Sequence, residues 1–167
     1  MEIINLLDFL IDMKDYTILR IDKEFPNFTI GEDDIDILCL DIHNVCKHII
    51  NILKQKYPSF TYKMFEIDNK IHIDVFRRRK FIIKFDLCDN IKKLYPNYNI
   101  PNELTEDVIK SSAFNTHECK IPILNHELMM RQLEYDTHIK LRPEKIKHLY
   151  FIEKYPDIIF KTFIRNY

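Results

Sequence analysis

Glycine occurs once in the 167 residues of this chain and tryptophan not at all. Ile, Asn, Lys, Tyr and Phe are abundant instead, which points to an AT-rich coding sequence, a statement about source and not about function. An excess of one charge is also missing, since 25 Lys and Arg face 26 Asp and Glu for a net charge of −1. That balance argues against a general nucleic-acid coat protein, which needs a strong basic surplus to neutralise phosphates, while leaving room for a local basic site. Long apolar runs are absent too. Met1 to Met13 is apolar at helical spacing but interrupted by Glu2, Asp8 and Asp12, so it reads neither as a signal peptide nor as a membrane span. An intracellular, cytoplasmic protein is expected. The four cysteines, Cys39, Cys46, Cys88 and Cys119, form no C-x-x-C pair. A zinc site from Cys39, His43, Cys46 and His48 would run from a strand into a helix, awkward for tetrahedral ligation, so buried free thiols are the preferred reading.

What is present suits an ordinary folded protein. A hydrophobic fraction of 46% beside 31% charged residues supports one domain, or one compact domain with a helical annex, with ample core. Apolar residues at Ile3, Ile4, Leu7, Leu10 and Ile11 predict a helix from Glu2 to about Met13. Tyr16 to Arg20 reads as a strand, Phe25-Pro26-Asn27 and Gly31 as a loop, and Asp34 to Leu40 as a second strand. Asp41 is placed to cap a helix through Val45, Ile49, Ile50 and Leu53 that stops near Tyr57-Pro58. Strands follow at Phe60 to Phe65, Ile71 to Phe76 and Phe81 to Leu87, the first two joined by a hairpin at Asp68-Asn69-Lys70. This order predicts a mixed sheet with helices packed against it. Beyond Asn90 the pattern changes to a loop, a stretch from Leu104 to Cys119 without assignable periodicity, a helix from Asn125, another from Pro143 and a short last one from Pro156. The division expected is residues 1–90 as an α/β core and 91–167 as a loop and helical region packed on it.

The acidic residues carry the chemistry. In Gly31-Glu32-Asp33-Asp34-Ile35-Asp36-Ile37-Leu38, strand alternation puts Asp34 and Asp36 on one face and Ile35 and Ile37 on the other. Paired carboxylates repel, and a shared divalent cation is the usual reason to keep them together. The plain alternative is an acidic turn entering a buried strand. A third carboxylate, Asp74, stands among apolar neighbours in Ile71-His72-Ile73-Asp74-Val75-Phe76, and Asp86 in Lys84-Phe85-Asp86-Leu87 competes with it.

Asp34-Ile35-Asp36-Ile37, followed by Asp74 within Ile73-Asp74-Val75, resembles the nucleotidyltransferase superfamily of family-X DNA polymerases, poly(A) polymerases and antibiotic nucleotidyltransferases. The resemblance covers roughly residues 15 to 90 and implies an α/β (α+β) fold: a mixed-sheet nucleotidyltransferase core flanked by helices, with a C-terminal helical annex. It implies transfer of a nucleoside monophosphate from a nucleoside triphosphate to a hydroxyl acceptor, a small molecule in the first instance. Asp34, Asp36 and Asp74 would be catalytic and would hold Mg2+ or Mn2+, with Asp86 as the alternative third ligand. The family's Gly-Ser step ahead of the aspartate strand is missing. Its place reads Leu19-Arg20-Ile21-Asp22-Lys23, where Arg20 and Lys23 supply charge for the triphosphate instead. Lys145, at the start of a later helix, is a third cation for the same task. Gly31 lies too close to Asp34 to cradle phosphate and is read as the turn into the strand.

Two alternatives stand beside this reading. One is an inactive nucleotidyltransferase fold serving as a nucleotide-binding or protein-interaction module. The other is extension of nucleic-acid ends, which near-neutral charge makes the weaker choice. A homodimer that completes the site is compatible with a chain of this size, and no membrane partner is expected. Arg77-Arg78-Arg79-Lys80 is the only dense basic run and reads first as a solvated turn, second as a phosphate site. Glu127, Arg131, Glu134 and His138 share a helical face, as paired surface charges or as an annex carboxylate serving the acceptor. His72 and His117 read as structural or exposed.

Overall fold

The architecture is mixed α/β, seen in a computed structural model that describes residues 4–21, 34–116 and 118–166. Five strands form one sheet: β1 (Tyr16–Ile18), β2 (Asp34–Cys39), β3 (Phe60–Ile67), β4 (Lys70–Arg77) and β5 (Lys80–Cys88), in the order β1-β2-β5-β4-β3. β2 and β5 run parallel, and the other neighbours are antiparallel. The parallel pair is what makes the helical crossover necessary, and α2 (Ile42–Lys56) begins it. Asp41 caps α2 by accepting from the Asn44 backbone N–H at 2.9 Å, and the helix ends at Tyr57, ahead of Pro58.

Alternation divides the sheet into two faces with different partners. Ile35, Ile37, Phe85, Leu87, Ile71 and Ile73 point to the back, where they form the main core with Phe9 and Leu10 of α1 (Leu7–Leu10) and Val45, Ile49 and Leu53 of α2. Phe85, Ile73 and Leu87 are fully buried, and each such side chain contributes roughly 1.5–3 kcal/mol. On the front face Leu38 and Cys88, at the C-terminal ends of β2 and β5, pack into a second core with the annex. That annex holds α3 (Ile91–Leu94), α4 (Leu104–Ser111), the hairpin β6 (Ala113–Phe114) and β7 (Lys120–Ile121), α5 (Leu124–His138), a 3-10 turn (Pro143–Lys145) and α6 (Ile146–Ile152). The annex therefore meets the sheet at the C-terminal ends of β2 and β5, beside Asp36 and Asp86.

The scarcity of glycine has a visible consequence. Seven non-glycine residues among those described adopt positive φ, Asp68-Asn69 and Arg78-Arg79 forming the two tight turns of the β3-β4-β5 meander. Two-residue hairpin turns of type I′ need positive φ at both central positions, a requirement that Asn and Asp tolerate and Arg does not favour. Gly31, the loop at Phe25-Pro26-Asn27 and His117 lie outside the described residues.

Two expected helices differ. Of the helix predicted from Glu2 to about Met13, the described residues form Leu7–Leu10, flanked by turns and held in place by Tyr57 Oη, which accepts from Asn5 N–H and donates to Asp8. The helix expected from Pro156 does not form. That backbone instead bonds the loop before α4, with Asn99 N–H donating to Ile164 at 3.0 Å and Asn166 N–H to Asn97 at 2.7 Å. Long-range pairing has taken the hydrogen bonds a helix would have used. The stretch from Leu104 to Cys119, which showed no period, is α4 and one arm of a hairpin, elements too short for a pattern to emerge.

Candidate functional site

Strand register aligns the side chains of the front face around the carboxylates in two rows. The first runs Phe65, His72, Asp86, Asp36 across β3, β4, β5 and β2, and the second runs Lys63, Asp74, Lys84, Asp34 across the same strands. Asp34 and Asp36 share this face, as alternation requires. Asp86 stands directly beside Asp36 on the neighbouring parallel strand, whereas Asp74 lies one strand further out and faces Lys84. The three carboxylates brought together are thus Asp34, Asp36 and Asp86. Asp74 contributes a buried Oδ1 that has no hydrogen-bond partner among the described residues. Its β4 hairpin position resembled the family order, but order along the chain does not reveal which strand slots in next to β2.

Each carboxylate meets a basic side chain. Arg20 Nη2 donates to Asp36 Oδ2 at 2.6 Å. Lys84 Nζ lies 2.8 Å from Asp86 Oδ2 and 3.4 Å from Asp34 Oδ2. His72 Nδ1 is 2.6 Å from Asp86 Oδ1, and its ring stacks on Phe65 with centroids 5.3 Å apart. Burial raises the Asp86 carboxyl above its ordinary range, more than Lys84 and His72 lower it, and the charge of Asp36 adds to the rise. For the shallower Lys84, burial pulls its ammonium down, but the bond to Asp86 and the charges of Asp86 and Asp34 outweigh it and raise its pKa.

Arg20 ties this cluster to the annex. Its Nη1 donates to Glu134 Oε2 of α5 at 2.8 Å and to Tyr95 Oη, and Glu134 Oε1 accepts from Lys145 Nζ at 2.5 Å. Burial would raise the Glu134 carboxyl, yet Arg20, Lys145 and more distantly His138 hold it down to about 2. Arg20 and Lys145, read as phosphate ligands, here direct their charges to Glu134. The hydroxyl of Tyr95 is buried and its pKa is pushed up by burial. Beside Asp36 and Asp86 on the same face lies a pocket of about 60 Å³ whose walls include Lys70, Leu19, Cys88 and Leu94, enough for a water or an ion.

The other sequence candidates serve packing. Arg131 is 1% exposed, donates to Glu127 at 2.7 Å and lies 3.9 Å from the Phe151 ring centroid, so Glu127 and Arg131 join α5 to α6. His138 Nε2 stays 3.8 Å from Glu134. Cys39 points to the Cys88 carbonyl, Cys46 to the Met64 sulfur and His48 Nε2 to the Phe9 carbonyl, three separate contacts and not one ligand set. Arg78 and Arg79 are exposed at the β4–β5 turn, while Arg77 lies over the Phe60 ring. Lys23 lies outside the described residues. Lys84 and His72 are the members of the cluster that sequence reasoning did not select, and the signal for both was alternation: Lys84-x-Asp86 and His72-x-Asp74 put them on the carboxylate face.

Comparison with protein-family models, curated proteins and solved structures finds no match for this chain. Among the described residues no helix is long and apolar enough to cross a membrane, and no group of three or more His, Cys, Asp or Glu side chains is gathered closely enough to hold a metal ion. The donor chemistry is nevertheless of the hard-oxygen kind that a divalent cation takes: three carboxylates on adjacent strands, each already paired with Arg20 or Lys84.

Proposed function

We propose that this protein is a metal-dependent nucleotidyltransferase that moves a nucleoside monophosphate from a nucleoside triphosphate to a hydroxyl acceptor, a small molecule by preference. The observation that supports it is the pairing of Asp36 with Asp86 on parallel β2 and β5, with Asp34 two residues earlier on the same face. Asp34, Asp36 and Asp86 would hold Mg2+ or Mn2+, which when bound supplies electrophilic activation of the phosphate and acidifies the acceptor hydroxyl. The work of the chain itself is placement. β2 and β5 fix the three carboxylates, His72 orients Asp86 through Oδ1, and the annex, latched through Arg20 and Glu134, walls one side of the face so that substrate approaches over β4 and β3. Buried free thiols at all four cysteines suit a reducing compartment, and the proposal includes a cytoplasmic location.

A second reading, an inactive fold kept for binding, is favoured by the cations already paired with every carboxylate of the cluster. Thermal melts separate the two. A nucleoside triphosphate with Mg2+ or Mn2+ should raise the melting temperature and release pyrophosphate in the presence of an acceptor, and Asp36→Ala should abolish both. No shift with any common triphosphate rules out the enzyme. A shift without pyrophosphate release supports the binding module.

A further inference from the structure

Lys84 is the member of the front face for which phosphoryl transfer offers no ready part. It sits between Asp34 and Asp74 in register, with Asp86 two residues on along the same strand. Its Nζ reaches one oxygen of Asp86 at 2.8 Å and one of Asp34 at 3.4 Å. A point charge held by one oxygen from each of two carboxylates fills the position between them that a bridging cation has to take. Lysine is suited to that place, being a compact charge with three donors on a flexible stem. Arg20 differs. Its guanidinium is engaged by Asp36, Glu134 and Tyr95 together and is 10% exposed, a fixed part of the scaffold. The Lys84 side chain is 24% exposed and, among the described residues, is tied to the two carboxylates alone, so it can leave without breaking the core.

We infer that Lys84 is a tethered counter-ion of the carboxylate cluster, which a divalent cation must displace from between Asp34 and Asp86, and that the freed ammonium then meets the phosphates of the substrate. The inference rests on the nucleotidyltransferase reading. Its physical basis is that close carboxylates repel, so a cation built into the chain lets the fold hold them together in advance. Exchange of an ammonium for a divalent ion adds one positive charge to the cluster and moves another toward the substrate, which favours ordered binding, cation first.

Mn2+ alone, titrated into the full chain and followed by the paramagnetic signal of the free ion, tests this. Lys84→Met and Lys84→Gln should each tighten Mn2+ binding about tenfold, and Lys84→Arg should not. With Mn2+ saturating, Lys84→Met should weaken binding of a non-hydrolysable ATP analogue at least threefold. A lysine with a merely structural role would not move the two affinities in opposite directions. If the wild type binds Mn2+ through Asp36, as loss in Asp36→Asn would show, and neither neutral variant binds it more tightly, the counter-ion role is overturned while the metal reading stands. If neither the wild type nor any Lys84 variant binds Mn2+, the metal reading falls and takes this inference with it. Binding by Lys84→Met or Lys84→Gln where the wild type shows none supports the inference in its strongest form. Far-ultraviolet circular dichroism confirms that each variant is folded, and the Gln substitution serves if the Met variant is not.

Discussion

Glu134, near the end of α5, accepts a hydrogen bond from Arg20, 114 residues earlier, at 2.8 Å, and that contact joins the annex to the sheet at the edge of the carboxylate cluster. Both side chains are nearly buried, so each depends for its charge on the other and on one further partner, Asp36 for Arg20 and Lys145 for Glu134. Removing one partner of such a pair costs more than the pair is worth, because the remaining charge is left uncompensated in a poor solvent.

Glu134→Gln should therefore destabilise the protein at neutral pH, by about 3 kcal/mol for a carboxyl lowered from 4.5 to about 2. The sign follows from the depressed value. The contribution is complete above the unfolded pKa of 4.5 and is lost as pH falls toward 2. Urea unfolding at pH 7 and pH 3 checks it. The gap between wild type and variant should narrow on acidification, and a gap independent of pH would disprove the charge-based account.

A purely apolar counterpart fixes the scale for packing. Phe85 has no exposed surface and stacks at a tilt against Phe9 with centroids 5.1 Å apart, joining the middle of the sheet to α1. Phe85→Ala should cost about 3–5 kcal/mol in denaturant unfolding. Because Phe85 precedes Asp86 on β5 and faces the other side, Phe85→Leu should keep the front face intact and lose less than half as much.

The shortage of glycine offers a stabilising change. Arg78 and Arg79 carry φ of 47° and 65° at the β4–β5 turn, a conformation in which an L-residue with a Cβ is strained by roughly 1 kcal/mol. Replacing the pair by Asn-Gly should raise the melting temperature by a few degrees. It also tests the basic run: unchanged triphosphate binding assigns those arginines to a solvated turn, and a weakened, salt-sensitive affinity assigns them to phosphate.

Much of this architecture could be read from the chain, and the reason differs by element. β2, β4 and β5 announce themselves because alternation between an apolar core and a polar face is a short-range signal. Asp34 and Asp36 follow from the same rule. Which acid joins them does not, since Asp74 and Asp86 occupy equivalent places in their own strands and only the sheet order β2-β5-β4 tells them apart. The latch formed by Arg20, Glu134 and Lys145 was invisible for a related reason. Glu134 reads as a surface charge at helical spacing and Arg20 and Lys145 as cations for a triphosphate, whereas their burial against one another arises from the docking of an annex that no local pattern describes.

The choice between Asp86 and Asp74 gives the most direct test of the proposed chemistry. Asp86 adjoins Asp36 in register, and Asp74 is separated from β2 by the whole of β5. Asp86→Asn should reduce pyrophosphate release at least a hundredfold, and Asp74→Asn by no more than a few-fold. Stability should move differently from activity. Because burial raises the Asp86 carboxyl, its ionised form is disfavoured by folding, and stability falls as pH rises from the unfolded pKa through the raised one. At neutral pH the neutral amide removes that penalty, so Asp86→Asn should melt no lower than wild type. Asp36→Ala, which deprives buried Arg20 of a partner, should melt lower by an amount equivalent to about 1–3 kcal/mol. An Asp74→Asn variant that loses activity as completely as Asp86→Asn would move the reacting centre to β4 and overturn the arrangement proposed for β2 and β5.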